Sequence, residues 1–95
     1  MAHVLKGSVQ RVSATGDLIT DISNEQIADA PSDDSVVVTF GPHHTLGIYD
    51  PDHEESESTL LAVRGTSGNL ELTIVGISLS EMLGIGPGEK VEIKW

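Results

Sequence analysis

Three groups of side chains in this chain are of types that do chemistry. Ser13, Thr15 and Asp17 lie in a glycine-containing turn, Ser-Ala-Thr-Gly-Asp, directly before an apolar run. Thr66 and Ser67 occupy a second such turn, Gly-Thr-Ser-Gly, before Leu70-Glu71-Leu72. Hydroxyls and a carboxylate on turns can hold an amine or ammonium group through hydrogen bonds, the charged ones being the strongest. The third group is His43, His44, Asp50, Asp52 and His53, with Glu54 and Glu55 beside them. Imidazole and carboxylate suit zinc, nickel or copper. No regular ligand spacing appears among them, however, and Pro51 with His53 breaks any EF-hand pattern. A solvated acidic loop is the weightier reading, so no metal site is assigned.

Other chemistry finds little support. There is no cysteine, hence no thiol nucleophile, disulfide or zinc–thiolate site. Ser, His and Asp are all present, but the strained elbow of a hydrolase nucleophile is not. Gly84-Ile-Gly-Pro-Gly88 lacks the Lys-Ser/Thr of a phosphate loop and precedes a strand, so it reads as a turn. Phe40 and Trp95 read as core or barrel-plug residues.

The elements that must position these groups are strands. Apolar alternation or compact β-branched runs mark seven of them: His3–Val12, Leu18–Ile22, Ser35–Phe40, Thr45–Tyr49, Thr59–Arg64, Asn69–Val75 and Lys90–Trp95. Turns at residues 15–17 and 65–68 make hairpins of the first two and of the fifth and sixth. Two capping patterns, Ser23 with Gln26 and Ser78 with Glu81, predict short helices, the first ending before Pro31 and the second at Gly84. The expected fold is all-β: a closed or nearly closed barrel of Greek-key type with about seven strands, and one or two short helices in its connections. Residues 1–95 form one domain, with Val9, Val12, Leu18, Ile22, Val37, Leu70, Leu72, Val91 and Ile93 in a single aliphatic core.

Charge narrows the partners. The formal net charge is −10, and between residues 12 and 63 there are eleven acidic side chains and no Lys or Arg. Such a surface repels phosphate backbones and anionic membranes, so neither nucleic acid nor membrane is expected. Without a signal-like start or a long apolar run, the expected location is the cytoplasm.

The two turn segments, taken with the rest of the chain in order, resemble the C-terminal domain of the S-adenosylmethionine hydroxide adenosyltransferases, the family that includes fluorinase and chlorinase. The family's first segment reads roughly Asp-x-Phe-Gly-Asn-hydrophobic-hydrophobic-Thr-Asn-Ile. Gly16, Leu18, Ile19, Thr20 and Ile22 fit it directly, while Ser13, Thr15, Asp17 and Asp21 stand where it has Asp, Phe, Asn and Asn. The second reads roughly Asn-Ser-x-Gly-x-Leu-Glu-Ile-Ala, with Thr66 and Ser67 at its Ser-x positions and Gly68, Leu70 and Glu71 matching. Ser78–Gly84 and Pro87–Val91 resemble its last helix, turn and strand.

The resemblance implies a barrel whose two turns face one end and line a site for S-adenosylmethionine or adenosine. Ser13, Asp17, Thr66 and Ser67 are then the candidate ligand residues. In the family this domain works across an interface with the N-terminal domain of a neighbouring subunit, which supplies the ribose contacts. The partner it implies is therefore a second copy or a separate N-terminal-domain protein. Ser13 gives up a carboxylate that helps hold the substrate ammonium, and Asp17 gives up an amide donor pair for an anion. The expectation is a non-catalytic binding or assembly domain. The alternatives are a subunit completing an active site with a separate protein, or a structural β domain with no small ligand.

Overall fold

Val9 is where the first strand changes partner. In the computed structural model, which describes residues 3–95, strand β1 (Val4–Val12) pairs antiparallel with the last strand through residues 4–8. Beyond Val9 it pairs with β2 (Leu18–Ser23), with a bulge between Val9 and Arg11. An extra residue in one strand bends it and increases its twist. One long strand thereby serves two halves of a sheet, and the Val9 side chain stays buried at the corner.

The remaining strands are β3 (Val37–Phe40), β4 (His43–Leu46), β5 (Ile48–Tyr49), β6 (Leu60–Arg64), β7 (Asn69–Ile74) and β8 (Lys90–Lys94). Their order across the sheet is β4-β3-β8-β1-β2-β7-β6-β5. The β2–β3 connection leaps over β1 and β8, the kind of long return that defines Greek-key topology. All pairs are antiparallel except β5 with β6.

Eight strands appear where seven are expected, because the run Thr45–Tyr49 is broken at Gly47. There φ is +81°, a value L side chains rarely adopt. On one side of Gly47, β4 pairs with β3; on the other, β5 runs parallel to β6. Thr45 Oγ1 donates to Leu60 O at 3.0 Å across the remaining gap. One kinked segment thus bridges both ends of the sheet and nearly closes the barrel.

A single cluster fills the interior, with Phe40, Leu18, Ile27, Ile48, Leu70, Leu72, Leu79 and Ile93 among its fully buried members. Seven of the nine expected core residues belong to it, and Val12 packs against it from a half-buried position. Val37 does not belong. Val36, Val38 and Phe40 point inward and Val37 outward, a one-residue phase difference that three consecutive valines conceal.

Only the second capping pattern starts a helix. Ser78 accepts from Glu81 N, and α1 (Leu79–Leu83) ends on Gly84 in the left-handed region. Ser23 and Gln26 do form the reciprocal capping bonds. The chain after them nevertheless makes successive three-residue turns, Ile27 N bonding Asn24 O and Ala30 N bonding Ile27 O. Pro31 has no N–H to offer Ile27 O, and the Arg64 guanidinium takes the carbonyls of Ile27 and Ala30 instead. No helix among the described residues is long and apolar enough to cross a membrane.

Candidate functional site

The β1–β2 turn is built by its own polar side chains. Ser13 N donates to Asp17 O and Gly16 N to Ser13 O, closing the turn. Asp17 N donates to Ser13 Oγ at 3.1 Å. Thr15 Oγ1 lies 3.1 Å from Ser13 Oγ and donates to Asp17 Oδ2 at 3.3 Å. A hydroxyl has one proton, so with Thr15 donating to the carboxylate, Ser13 is the donor to Thr15. The hydroxyls therefore form a relay ending on Asp17.

Thr73, on β7, completes the arrangement by donating to Asp17 Oδ1 at 2.7 Å. The register of the β2–β7 pair, Leu18 opposite Leu72, puts Thr73 beside Asp17. The helix is fastened to the same turn: Ser80 N donates to Gly16 O at 3.0 Å, and Ser78 packs where a Gly16 side chain would stand. Between turn, strand and helix lies an open groove of about 420 Å³, lined by Thr15, Asp17, Thr73, Ile74, Ile77 and Ser78. Asp17 is half-buried there. Its carboxylate has roughly four acceptor sites and receives two hydroxyl protons, so it can accept further donors from a bound molecule.

Thr66 and Ser67 are not part of this groove. They sit on the β6–β7 turn, beside the far end of β2, where Ser23 pairs with Asn69. Ser23 lies five residue steps along β2 from Leu18, about 17 Å at the usual rise. The expectation that both turns face one barrel end is therefore overturned by the register. Ser67 bonds inside its own hairpin: its Oγ donates to Glu71 Oε2 at 2.6 Å, and its N–H reaches the same oxygen. Asn24 holds the turn from outside, donating its backbone N–H to Gly68 O and its amide to Gly65 O.

The His43, His44, Asp50, Asp52 and His53 constellation is likewise not assembled. Successive residues of a strand point to opposite faces, so His43 lies against Phe40 while His44 stands beside Thr39. Asp50 turns to Arg64, 3.4 Å from its guanidinium, and His53 Nδ1 accepts from Glu55 N. Among the described residues no three His, Asp or Glu side chains come together as a metal would require.

Sequence reasoning missed Thr73, Ile77 and Ser78 as groove residues. Ser78 was legible only as a helix cap. Thr73 could have been found from the β2–β7 register alone, which no local pattern encodes.

No protein-family model matches the chain, and no curated protein matches it. The fold does match solved structures. One is an uncharacterized conserved protein from Thermotoga maritima, with a TM-score of 0.75 and 22% identity, covering 93% of this chain and 34% of that one. Another is a conserved hypothetical protein from Thermus thermophilus, with a TM-score of 0.67 and 23% identity, covering 93% of this chain and 32% of that one. The chain thus spans about a third of the length of these solved chains.

Proposed function

We propose that this chain is a non-catalytic binding domain, similar to the C-terminal domain of the S-adenosylmethionine hydroxide adenosyltransferases, and that any small ligand it takes sits in the groove at Asp17. The observation that carries this reading is the carboxylate itself. Asp17 is fixed from both sides by Thr15 and Thr73, and it borders about 420 Å³ of open groove. A carboxylate oriented by hydroxyls selects ligands that donate, such as an ammonium or an adenine amine. Ile74 and Ile77 offer an apolar wall for the body of such a ligand. The ordered series of matches from Gly16 to Val91 supports S-adenosylmethionine and adenosine as the compounds to try first.

A second reading is a subunit that completes a site with another polypeptide surface, a second copy or a separate N-terminal-domain protein. It is favoured by the openness of the groove and by the fact that the fold matches only a third of the longer solved chains. Under either reading the chain alone is expected to release no adenosine from S-adenosylmethionine, since Ser13 and Asp17 stand where the family it resembles carries Asp and Asn.

The test is amide-shift mapping by NMR during titration with adenosine and S-adenosylmethionine. Shifts at Thr15, Asp17, Thr73 and Ser78 that disappear in Asp17→Ala support the reading. Shifts confined to residues 43–57, or none at millimolar ligand, leave a structural β domain.

A further inference from the structure

The chain turns sharply at the edge of the Asp17 groove. After β7, Ile77 N donates to Ile74 O at 3.1 Å, and Gly76 stands between them with φ of +77°. The turn brings Ile74, Gly76 and Ile77 together in the groove wall. The chain entering β6 is clasped to the same place. Ser58 N donates to Val75 O at 2.8 Å, and Val75 N donates to Thr59 O at 3.0 Å. Ser58 is the one non-glycine with positive φ among the described residues, at +67°. Such a conformation persists where the surroundings fix it, and here both bonds of the clasp do so.

The clasp sets Glu57 beside Gly76. Its Cγ lies 3.7 Å and its Cδ 3.8 Å from where a Gly76 side chain would begin. The groove therefore meets two separate carboxylates: Asp17, held by Thr15 and Thr73, and Glu57 at the rim. Ile74 lies between them along the chain, after Thr73 and before Gly76, and it pairs with Ile77 across the turn. A third carboxylate, Glu81, follows Ser78 in the first turn of α1. No Lys or Arg lines the groove. The nearest cation by strand register is Arg11, opposite Ile19, which in turn pairs with Glu71. The chain runs from Glu71 through Thr73 to Gly76, so Arg11 and Glu57 lie on opposite sides of Asp17.

We propose that this groove takes an aliphatic diamine or polyamine, with one ammonium at Asp17, another at Glu57 and the methylenes along Ile74 and Ile77. The inference rests on the Asp17 groove being the ligand site. An ammonium offers three donors and no acceptor, which suits a carboxylate with acceptor sites to spare. A metal ion needs its oxygen ligands to converge, and among the described residues no three His, Asp or Glu side chains do. Two carboxylates set apart along an apolar wall fit a two-headed cation instead. A monoamine or a nucleoside satisfies only one of them.

The experiment is an amide-shift titration of the full chain at physiological salt with cadaverine, n-pentylamine and adenosine. Cadaverine should shift Asp17 and Thr73 together with Glu57, Gly76 and Ile77, whereas n-pentylamine should leave Glu57 unshifted. Glu57→Gln, at an exposed position, should weaken cadaverine about threefold, the worth of one exposed ion pair, and n-pentylamine by less. The inference is overturned if the variant binds cadaverine as the parent does, or loses both amines equally. Cadaverine shifts spread over the acidic loops at residues 29–34 and 50–55 would also overturn it, as would the same shifts produced by Mg²⁺. If cadaverine fails while adenosine shifts Asp17 and Thr73, the two-headed ligand is wrong and the groove stands as a site. If neither shifts them at millimolar concentration, the reading of the groove falls as well.

Discussion

Thr73 Oγ1 donates to Asp17 Oδ1 at 2.7 Å, joining residues 56 apart in the chain at the mouth of the candidate groove. The bond pins the β1–β2 turn to β7 and orients the carboxylate that the proposed ligand would meet. Thr73→Val keeps the shape and removes the donor. It should cost about 1 kcal/mol, the usual net worth of a partly buried hydrogen bond to a charged group at the low end. Urea unfolding reads this as a lower midpoint at unchanged slope. A midpoint equal to that of the parent chain would show that the bond contributes nothing to stability.

Gly47 and Gly68 both have positive φ, +81° and +93°, but their surroundings differ. A Cβ at Gly47 would lie 3.0 Å from Asp33 N and from Ser32 C, both backbone atoms that cannot swing away. At Gly68 nothing stands within 4 Å. Gly68→Ala should therefore cost about 1 kcal/mol from the backbone conformation alone. Gly47→Ala should cost clearly more, because it also pushes apart the segment that bridges β3 to β6. Thermal unfolding of the two variants side by side decides it; equal losses would mean that the kink has room to relax.

Arg64, on β6, ties the turns after β2, which no strand pairing joins to it, to the paired β5 and β6. Its guanidinium donates to Ala30 O at 2.6 Å, Ile27 O at 3.0 Å and Ile48 O at 3.3 Å. Arg64→Met should cost about 1–3 kcal/mol, since Ala30 O loses its donor in a partly buried site, while Ile27 O keeps Ala30 N and Ile48 O keeps the Ser32 hydroxyl. Arg64→Lys should recover little of this, because one ammonium cannot reproduce the planar fork. If Lys restores full stability in chemical denaturation, charge and not the geometry of the fork is what matters.

How far the sequence discloses this molecule follows from which features are local. The strands at residues 4–12, 18–23 and 60–74 are local: alternation and glycine turns state them, and the structure agrees to within a residue or two. The cap at Ser78 and the stop at Gly84 are equally local. The inward face of β3 is not, because Val36, Val37 and Val38 read alike whichever of them points to the core. The helix expected after Ser23 is stopped by one local and one distant partner: Pro31 has no N–H for Ile27 O, and Arg64, 34 residues from Ala30, binds the carbonyls of Ile27 and Ala30. The candidate site divides the same way. Ser13 and Asp17 share a turn and stay together, whereas placing Thr66 and Ser67 with them required the β2–β7 register, and that register sends them to the opposite end.

The entry to β3 gives the pH-dependent prediction. Asp33 Oδ1 accepts the Ser35 hydroxyl and the Ser35 N–H, the latter at 2.9 Å, in a local turn. Both bonds favour the ionised form, the hydroxyl more strongly, and they hold the Asp33 carboxyl below its ordinary value. A carboxyl depressed in the folded state adds stability that is complete above the ordinary Asp range and is lost as pH falls through the folded value. Ser35→Ala removes the larger of the two causes while leaving the backbone bond in place. The Asp33 carboxyl should then titrate at a higher pH than in the parent chain, and acid unfolding should begin correspondingly earlier. Carboxyl-carbon NMR titration of both proteins reads the first effect directly. If the Asp33 midpoint does not move in the variant, the hydroxyl is not what depresses it, and the turn is held by backbone geometry alone.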